Sequence, residues 1–341
     1  MRSLNQSTPD PDAPPLPGLA DVEAAATRLA GHAVLTPLLE FPVLNDLVRG
    51  RVLIKAETLQ RTGSFKFRGA YNRIRQIPER RKAKGVVAYS SGNHAQGVAA
   101  AAALLDLPAT IVMPSDAPTL KIENTRSYGA EIVFYDRYKE SRQEIAAALA
   151  RERSATLVPP YDDPQIIAGQ GTCGLEICRQ ASAVGASIEQ VLVSCGGGGL
   201  VAGCSLALKA LAPDCAIYGV EPEQFDDTRR SLETGHRIEN DPSARSICDA
   251  LLVSTPGALT FEINRRNLAG GLVVADREVR AAMAFAFRHL KLVVEPGGAV
   301  TLAALLNGRV ATADRTTVVV LSGANVDPVF FAEVITETGR P

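Results

Sequence analysis

The sequence predicts an α/β fold built from two open, mainly parallel twisted sheets with helices on both faces. Three observations carry this reading. Short apolar runs rich in β-branched residues alternate with helical patterns along most of the chain, the order expected of parallel sheets covered on both sides. One of these runs breaks into four consecutive glycines, and a helical pattern follows at once. The length of 341 residues suits roughly two domains.

Taken in order, the first 18 residues end in Pro9-Asp10-Pro11-Asp12-Ala13-Pro14-Pro15-Leu16-Pro17-Gly18. Proline at that density forbids a helix, so residues 1–18 are expected to be a disordered or loosely docked tail. Strands are expected at Val52–Lys55, Val86–Tyr89, Thr110–Met113, Glu131–Phe134, Val191–Ser194, Ala216–Val220, Gly271–Val274 and Thr317–Leu321, with helices between most of them. No internal repeat is present, and no low-complexity segment beyond the tail.

Composition narrows the class. Apolar content of 46% and charged content of 21% are those of a globular enzyme. A formal net charge of −1 gives no reason to expect nucleic acid or a membrane surface as partner. The six cysteines and four histidines lack metal-ligand spacing. No signal peptide and no run of about 18 apolar residues appears. A reducing, cytoplasmic setting with free thiols is expected.

Four segments carry chemistry. In Thr62-Gly63-Ser64-Phe65-Lys66-Phe67-Arg68-Gly69, one lysine stands between two aromatics at an expected helix start, with Ser64 as N-cap and the helix running to about Ile77. The helix dipole and the phenyl neighbours both disfavour the ammonium form, and a neutral amine can attack a carbonyl. A surface lysine packed on its neighbours would read the same way in isolation.

Val191 to Leu200 is a strand run ending in Gly196-Gly197-Gly198-Gly199. Backbone N–H groups in such a turn form an anion nest at a helix N-terminus. A dinucleotide fingerprint competes here: Gly197, Gly199 and Ala202 fit G-x-G-x-x-A, with Glu221 as ribose acid, which would make the chain an NAD-dependent oxidoreductase. That rival leaves Lys66 without a role.

Ser90-Ser91-Gly92-Asn93-His94-Ala95-Gln96-Gly97 opens an alanine-rich helix with small polar groups that suit a carboxylate, or serve only as a cap. Val318 to Asn325 is a buried-type strand with Ser322 at its carboxyl end, where ligands of open α/β sheets collect.

In combination and in this order, S-F-K-x-R-G-A, S-S-G-N-H-A-Q-G, the tetraglycine loop and L-S-G-A-N-V-D resemble the fold-type II (tryptophan synthase β-like) pyridoxal-phosphate enzymes. The resemblance is strongest to the serine/threonine dehydratase and serine racemase group and runs from about Thr36 to about Asp327. It implies pyridoxal 5'-phosphate (PLP) as cofactor. Lys66 would be the Schiff-base residue, flanked in the cofactor site by Phe65. Asn93 would bond the 3′ oxygen, Gly196, Gly197, Gly198 and Gly199 would hold the phosphate, and Ser322 would bond the pyridine nitrogen. A neutral serine need not keep that nitrogen protonated, which weakens the ring as an electron sink and favours β-elimination over transamination. Ser90, Ser91, Asn93 and His94 would bind the substrate carboxylate.

By the same resemblance Lys66 takes the α-proton, Ser91 acts on the opposite face and would permit racemisation, and Glu295 lies near the cofactor ring. Glu221, the Phe225 carbonyl and Asp227 would bind Mg²⁺ or Ca²⁺; a solvated acidic helix start is the alternative, and Glu221 is also the residue the NAD reading needs.

The resemblance further implies a large PLP-binding domain from 19–84 and 164–341, a small substrate-side domain from 85–163, a homodimer, and no room for a regulatory domain responding to isoleucine. The expected activity is PLP-dependent deamination of a small β-hydroxy-amino acid such as L-threonine or L-serine to a 2-oxo acid and ammonia, with serine racemase or 3-hydroxyaspartate dehydratase as alternatives. Hydroxyaspartate would need an additional cation in the pocket, and the sequence names none. The segment Ser246 to Leu251 departs from the dehydratases' usual polar pattern, which leaves the pocket contacts there open.

Overall fold

The computed structural model describes residues 15–117, 119–137 and 139–337. Most of the expected tail therefore lies outside the described residues. Among them, strands β1 (Leu38–Glu40), β2 (Arg51–Ala56), β3 (Val86–Tyr89), β4 (Ala109–Pro114), β5 (Glu131–Tyr135), β6 (Thr156–Leu157), β7 (Gln190–Ser194), β8 (Ala216–Pro222), β9 (Gly270–Val274) and β10 (Thr316–Leu321) form two sheets. One runs β1-β2-β10-β7-β8-β9 and the other β5-β4-β3-β6. Every pairing is parallel except that of β1 with β2. All eight expected strands are present. The two unexpected ones, β1 and β6, are three and two residues long, too short to show a period.

Between the strands lie α1 (Leu19–Leu29), α2 (Pro42–Val48), α3 (Lys66–Arg75), α4 (Glu79–Lys82), α5 (Asn93–Leu104), α6 (Thr119–Ser127) and α7 (Arg142–Glu152). They are followed by α8 (Pro164–Ala183), α9 (Gly199–Leu211), α10 (Asp227–Thr234), α11 (Ala258–Asn267), α12 (Asp276–Phe285), α13 (Pro296–Leu306) and α14 (Pro328–Thr336).

The larger sheet shows why its strands read as continuous apolar runs. Val52, Ile54, Leu192, Val319 and Leu321 face a core shared with α12 and α13. Their neighbours Leu53, Val191, Val193, Val318 and Val320 face the opposite core, shared with α8 and α9. Side chains alternate, yet both faces are dry. Val318, Val319, Val320 and Leu321 are all fully buried; at about 1.5–3 kcal/mol each, before chain entropy is counted, they hold β10 between β2 and β7.

Helix α3, which carries Lys66, is fixed from beneath by a buried ion network. Arg68 donates to Glu57 at 2.8 Å and to Glu176 at 2.6 Å, and Lys55 donates to Glu176 at 2.6 Å. Gly171 of α8 and Gly203 of α9 let these two helices meet backbone to backbone: a Cβ on Gly203 would lie 2.3 Å from the Ile167 carbonyl oxygen.

Candidate active site

Lys66 is the first residue of α3. The expected cap is corrected: Ser64 is extended (φ −162°, ψ 159°), bridges to Gly323, and Phe65 takes the N-cap position. The Ser64 hydroxyl has no partner among the described residues. The turn is held instead by the Phe65 N–H, which donates to the Ser322 carbonyl at 3.1 Å. That bond ties the lysine to the carboxyl end of β10. The Lys66 ammonium nitrogen lies 5.1 Å from the Phe65 ring centroid and donates to the Pro160 carbonyl at 2.7 Å. Burial pushes its pKa down to about 8, against the opposing charge of Glu295.

The glycine turn follows β7. Gly198 (φ +88°) is the N-cap of α9, and Gly199 begins the helix. The left-handed backbone at Gly198 suits glycine. Gly197 is needed for a different reason, since a Cβ there would lie 2.4 Å from the Tyr161 ring. All four glycines line the cavity, and Tyr161, Asn264, Thr260 and Leu251 occupy the space their side chains would take.

Helix α5 begins at Asn93 with Gly92 as N-cap, so neither Ser91 nor Asn93 is the cap. Ser90 Oγ accepts from the Gly92 N–H at 3.1 Å. Asn93 donates to Glu295, and its own oxygen accepts from Asn325 at 2.7 Å. His94 bonds the Val158 carbonyl through Nε2 at 2.9 Å; burial, with Lys66 nearby, lowers its pKa to about 3, so the ring stays neutral and anchors the loop.

One cavity at the carboxyl ends of β3, β7 and β10 takes in Phe65, Lys66, Ser90, Ser91, Asn93, His94, Gly196, Gly197, Gly198, Gly199 and Ser322 together. It also takes in residues that the sequence reading missed: Tyr89, Lys121, Arg142, Tyr161 and Asp249. Lys121 is paired with Asp249. Burial opposes its charge, but Asp249 and then Glu295 outweigh that and hold it above the ordinary lysine value. Glu295 is buried, and burial raises its pKa to about 7 while Lys121 pulls the other way. Arg142 opens α7 with its guanidinium carbon 5.8 Å from the Tyr89 ring centroid, and it has no acidic partner among the described residues. Burial raises the Tyr161 phenol to about 12. Lys121 and Arg142 stand in α6 and α7 and Tyr161 in the 158–163 segment, none of them within a motif, while Tyr89 closes β3 and Asp249 lies in the Ser246 to Leu251 segment whose contacts the sequence leaves open.

Glu221, Phe225 and Asp227 do not line this cavity. Glu221 is buried at the end of β8, and its two oxygens accept from the N–H groups of Thr228 (2.9 Å) and Arg229 (2.8 Å). It caps α10, a structural use that the NAD reading did not expect. Asp227 accepts from Asn240 at 2.6 Å through one oxygen, while the other is buried without a partner. Burial raises the pKa of both carboxyls, that of Asp227 to about 7. Among the described residues no group of three or more His, Cys, Asp or Glu side chains is placed to hold a metal.

A lysine kept partly neutral, a glycine turn at a helix N-terminus and a polar loop, brought into one cavity from both sheets, suit an enzyme that holds a phosphorylated aldehyde cofactor. The chain belongs to the pyridoxal-phosphate dependent enzymes, whose family model matches residues 29–323. It is 45% identical over 92% of its length to the L-threo-3-hydroxyaspartate ammonia-lyase of Pseudomonas sp, covering 97% of that protein. It is 40% identical over 94% of its length to the L-threo-3-hydroxyaspartate ammonia-lyase of Saccharomyces cerevisiae, again covering 97%. Among solved structures, a threonine deaminase from T.th. matches with a TM-score of 0.86 and 44% identity, over 91% of this chain and 99% of that one.

Proposed function

We propose that this protein is an ammonia-lyase that eliminates the β-hydroxyl of a β-hydroxy-amino acid as water and releases ammonia when water is taken back to hydrolyse the resulting imine, and that its preferred substrate carries a second carboxylate, as L-threo-3-hydroxyaspartate does. The product would be the corresponding 2-oxo dicarboxylic acid. The reading from motifs puts L-threonine or L-serine first and the hydroxyaspartate as an alternative; the relatives favour the alternative. The observation that carries it is Arg142. A cation in the first turn of a helix opposes the dipole, so α7 gains nothing from it. It faces the cavity without an acidic partner among the described residues, and a guanidinium matches a carboxylate in geometry and charge.

The residues divide the work as follows. Lys66, Asn93, Gly196 to Gly199 and Ser322, with Phe65 beside them, would hold PLP, and the glycine turn at the N-terminus of α9 suits its phosphate. When bound, PLP supplies the electron sink that acidifies the substrate Cα–H. The N–H groups at the start of α5 and the hydroxyls of Ser90 and Ser91 orient the α-carboxylate. Lys66, with a pKa of about 8, is neutral often enough near pH 7 to accept the α-proton. Arg142 holds the distal carboxylate and turns the β-hydroxyl towards departure.

The test is a panel of hydroxy-amino acids, both enantiomers, assayed for 2-oxo acid and for inversion. Arg142→Ala should lower kcat/KM for the hydroxyaspartate about 10- to 100-fold, the loss of one charge-assisted pair, and change threonine turnover only a few-fold. Equal losses on both substrates would sink the assignment. A second reading, racemisation, is favoured by Ser91, which lines the cavity on α5's entry loop. Ser91→Ala should erase inversion and leave L-elimination reduced but measurable.

We infer also that Glu221, the Phe225 carbonyl and Asp227 hold a divalent cation of the Mg²⁺ or Ca²⁺ type. Two buried carboxyls, one with an oxygen lacking any partner, fit a cation better than they fit each other.

A further inference from the structure

The L-S-G-A-N-V-D motif contributes a second residue besides Ser322. Asn325 lies half-buried beyond the end of β10, packed against Gly63, where a Cβ would come within 2.7 Å of its Oδ1. Its Nδ2 donates twice, to the Thr62 carbonyl at 2.8 Å and to Asn93 Oδ1 at 2.7 Å. A backbone carbonyl can only accept, so the Thr62 contact decides which end of the Asn325 amide is nitrogen. That nitrogen obliges the Asn93 atom facing it to be oxygen. The other end of the Asn93 amide is then NH₂, and it donates to Glu295. Thr62 is itself held at φ 65°, ψ 14°, a strained setting for a β-branched residue that persists only where its surroundings impose it.

We propose that Asn325 is a positioning residue that sets the orientation of the Asn93 amide, so that Asn93 presents its NH₂ and not its carbonyl to the 3′ oxygen of the cofactor. The inference rests on the assignment of Asn93 to the cofactor. A primary amide has nearly the same shape in both orientations, so packing alone does not select one. Glu295 selects one only while ionised, because a protonated carboxyl can donate to the amide oxygen instead. With a pKa of about 7, and with Lys121, Asp249 and Lys66 as the charged groups around it, Glu295 would let the amide reverse at lower pH. Asn325 removes that dependence.

The experiment measures the visible absorption of the holoenzyme across pH 6–8.5, and cofactor retention on dialysis, for the native protein, Asn325→Ala, Asn93→Ala and the double variant. Asn325→Ala should weaken retention about tenfold, equivalent to one hydrogen bond of about 1.4 kcal/mol, and give the band a pH dependence centred near 7 that the native protein lacks. Asn325→Asp, which keeps the shape and loses both donors, should do the same. In the Asn93→Ala background, Asn325→Ala should change neither quantity further. Additive effects of the two substitutions would overturn the proposal and place Asn325's role in the Thr62 loop. If Asn93→Ala alone left the band and the retention unchanged, the assignment of Asn93 to the cofactor would itself fail.

Discussion

At the scale of single residues, the decisive quantity is how far burial moves a proton. Burial depresses the pKa of Lys66, and that depression is what makes it a base near neutrality. Lys66→Ala should therefore abolish both the visible absorption of the purified enzyme and its turnover; an unchanged spectrum would remove the basis for the cofactor assignment. Glu295 shows the opposite shift. Its folded pKa of about 7 lies above the ordinary 4.5, so the folded state holds that proton more tightly. The associated stability is complete below about pH 4.5 and lost as pH rises through 7. Glu295→Gln should flatten this part of the stability–pH curve in thermal denaturation, with the largest difference between pH 4.5 and 7. Lys66 and the glycines stand out in the sequence for a local physical reason, and Asn93 and Ser322 through the family resemblance of their motifs; all of them line the cavity. Arg142, Lys121 and Tyr161 do not stand out. They stand alone in ordinary surroundings, and only the folding of α6, α7 and the 158–163 segment brings them to Lys66.

At the scale of elements, α3 depends on contacts beneath it more than on its own sequence. Ser64 is the cap its sequence suggests, since serine before a helical pattern ordinarily caps it. The bridge of Ser64 to Gly323 and the Phe65–Ser322 bond hold the turn extended instead. The helix is anchored by Arg68, two residues past the lysine. Arg68→Met should destabilise the fold by about 3–5 kcal/mol, because Glu57 would be left buried without its partner. Chemical denaturation measures this, and a loss under about 1 kcal/mol would show that the network is solvated. The long strands were readable from their two dry faces. Strands β1 and β6 were not, because pairing with β2 and β3 defines them and two or three residues carry no period.

At the scale of the whole molecule, the cavity is lined from the carboxyl ends of strands in both sheets. We propose that residues 85–163 form the smaller, substrate-side domain, since all four strands of the second sheet lie within 86–157, and that the described residues of 19–84 and 164–341 form the larger. The proposed cation lies outside the cavity and would act on stability more than on chemistry. Chelation should lower the melting temperature and added Mg²⁺ restore it, the stability at stake being about 2.7 kcal/mol at a hundredfold excess over Kd; Asp227→Ala should abolish the response. No response in a verified metal-free sample would discard that site. By itself, the sequence determined the fold class and the family and singled out Lys66 and the Gly196 to Gly199 turn as the places proposed to hold the cofactor, because alternating dry strands and a glycine run ahead of a helix are patterns local to the chain. Only the tertiary structure decided which cations and tyrosines face the substrate, what the Glu221 carboxylate bonds, and which way the Asn93 amide points. Those depend on groups far apart in the chain, whose meeting no local pattern encodes.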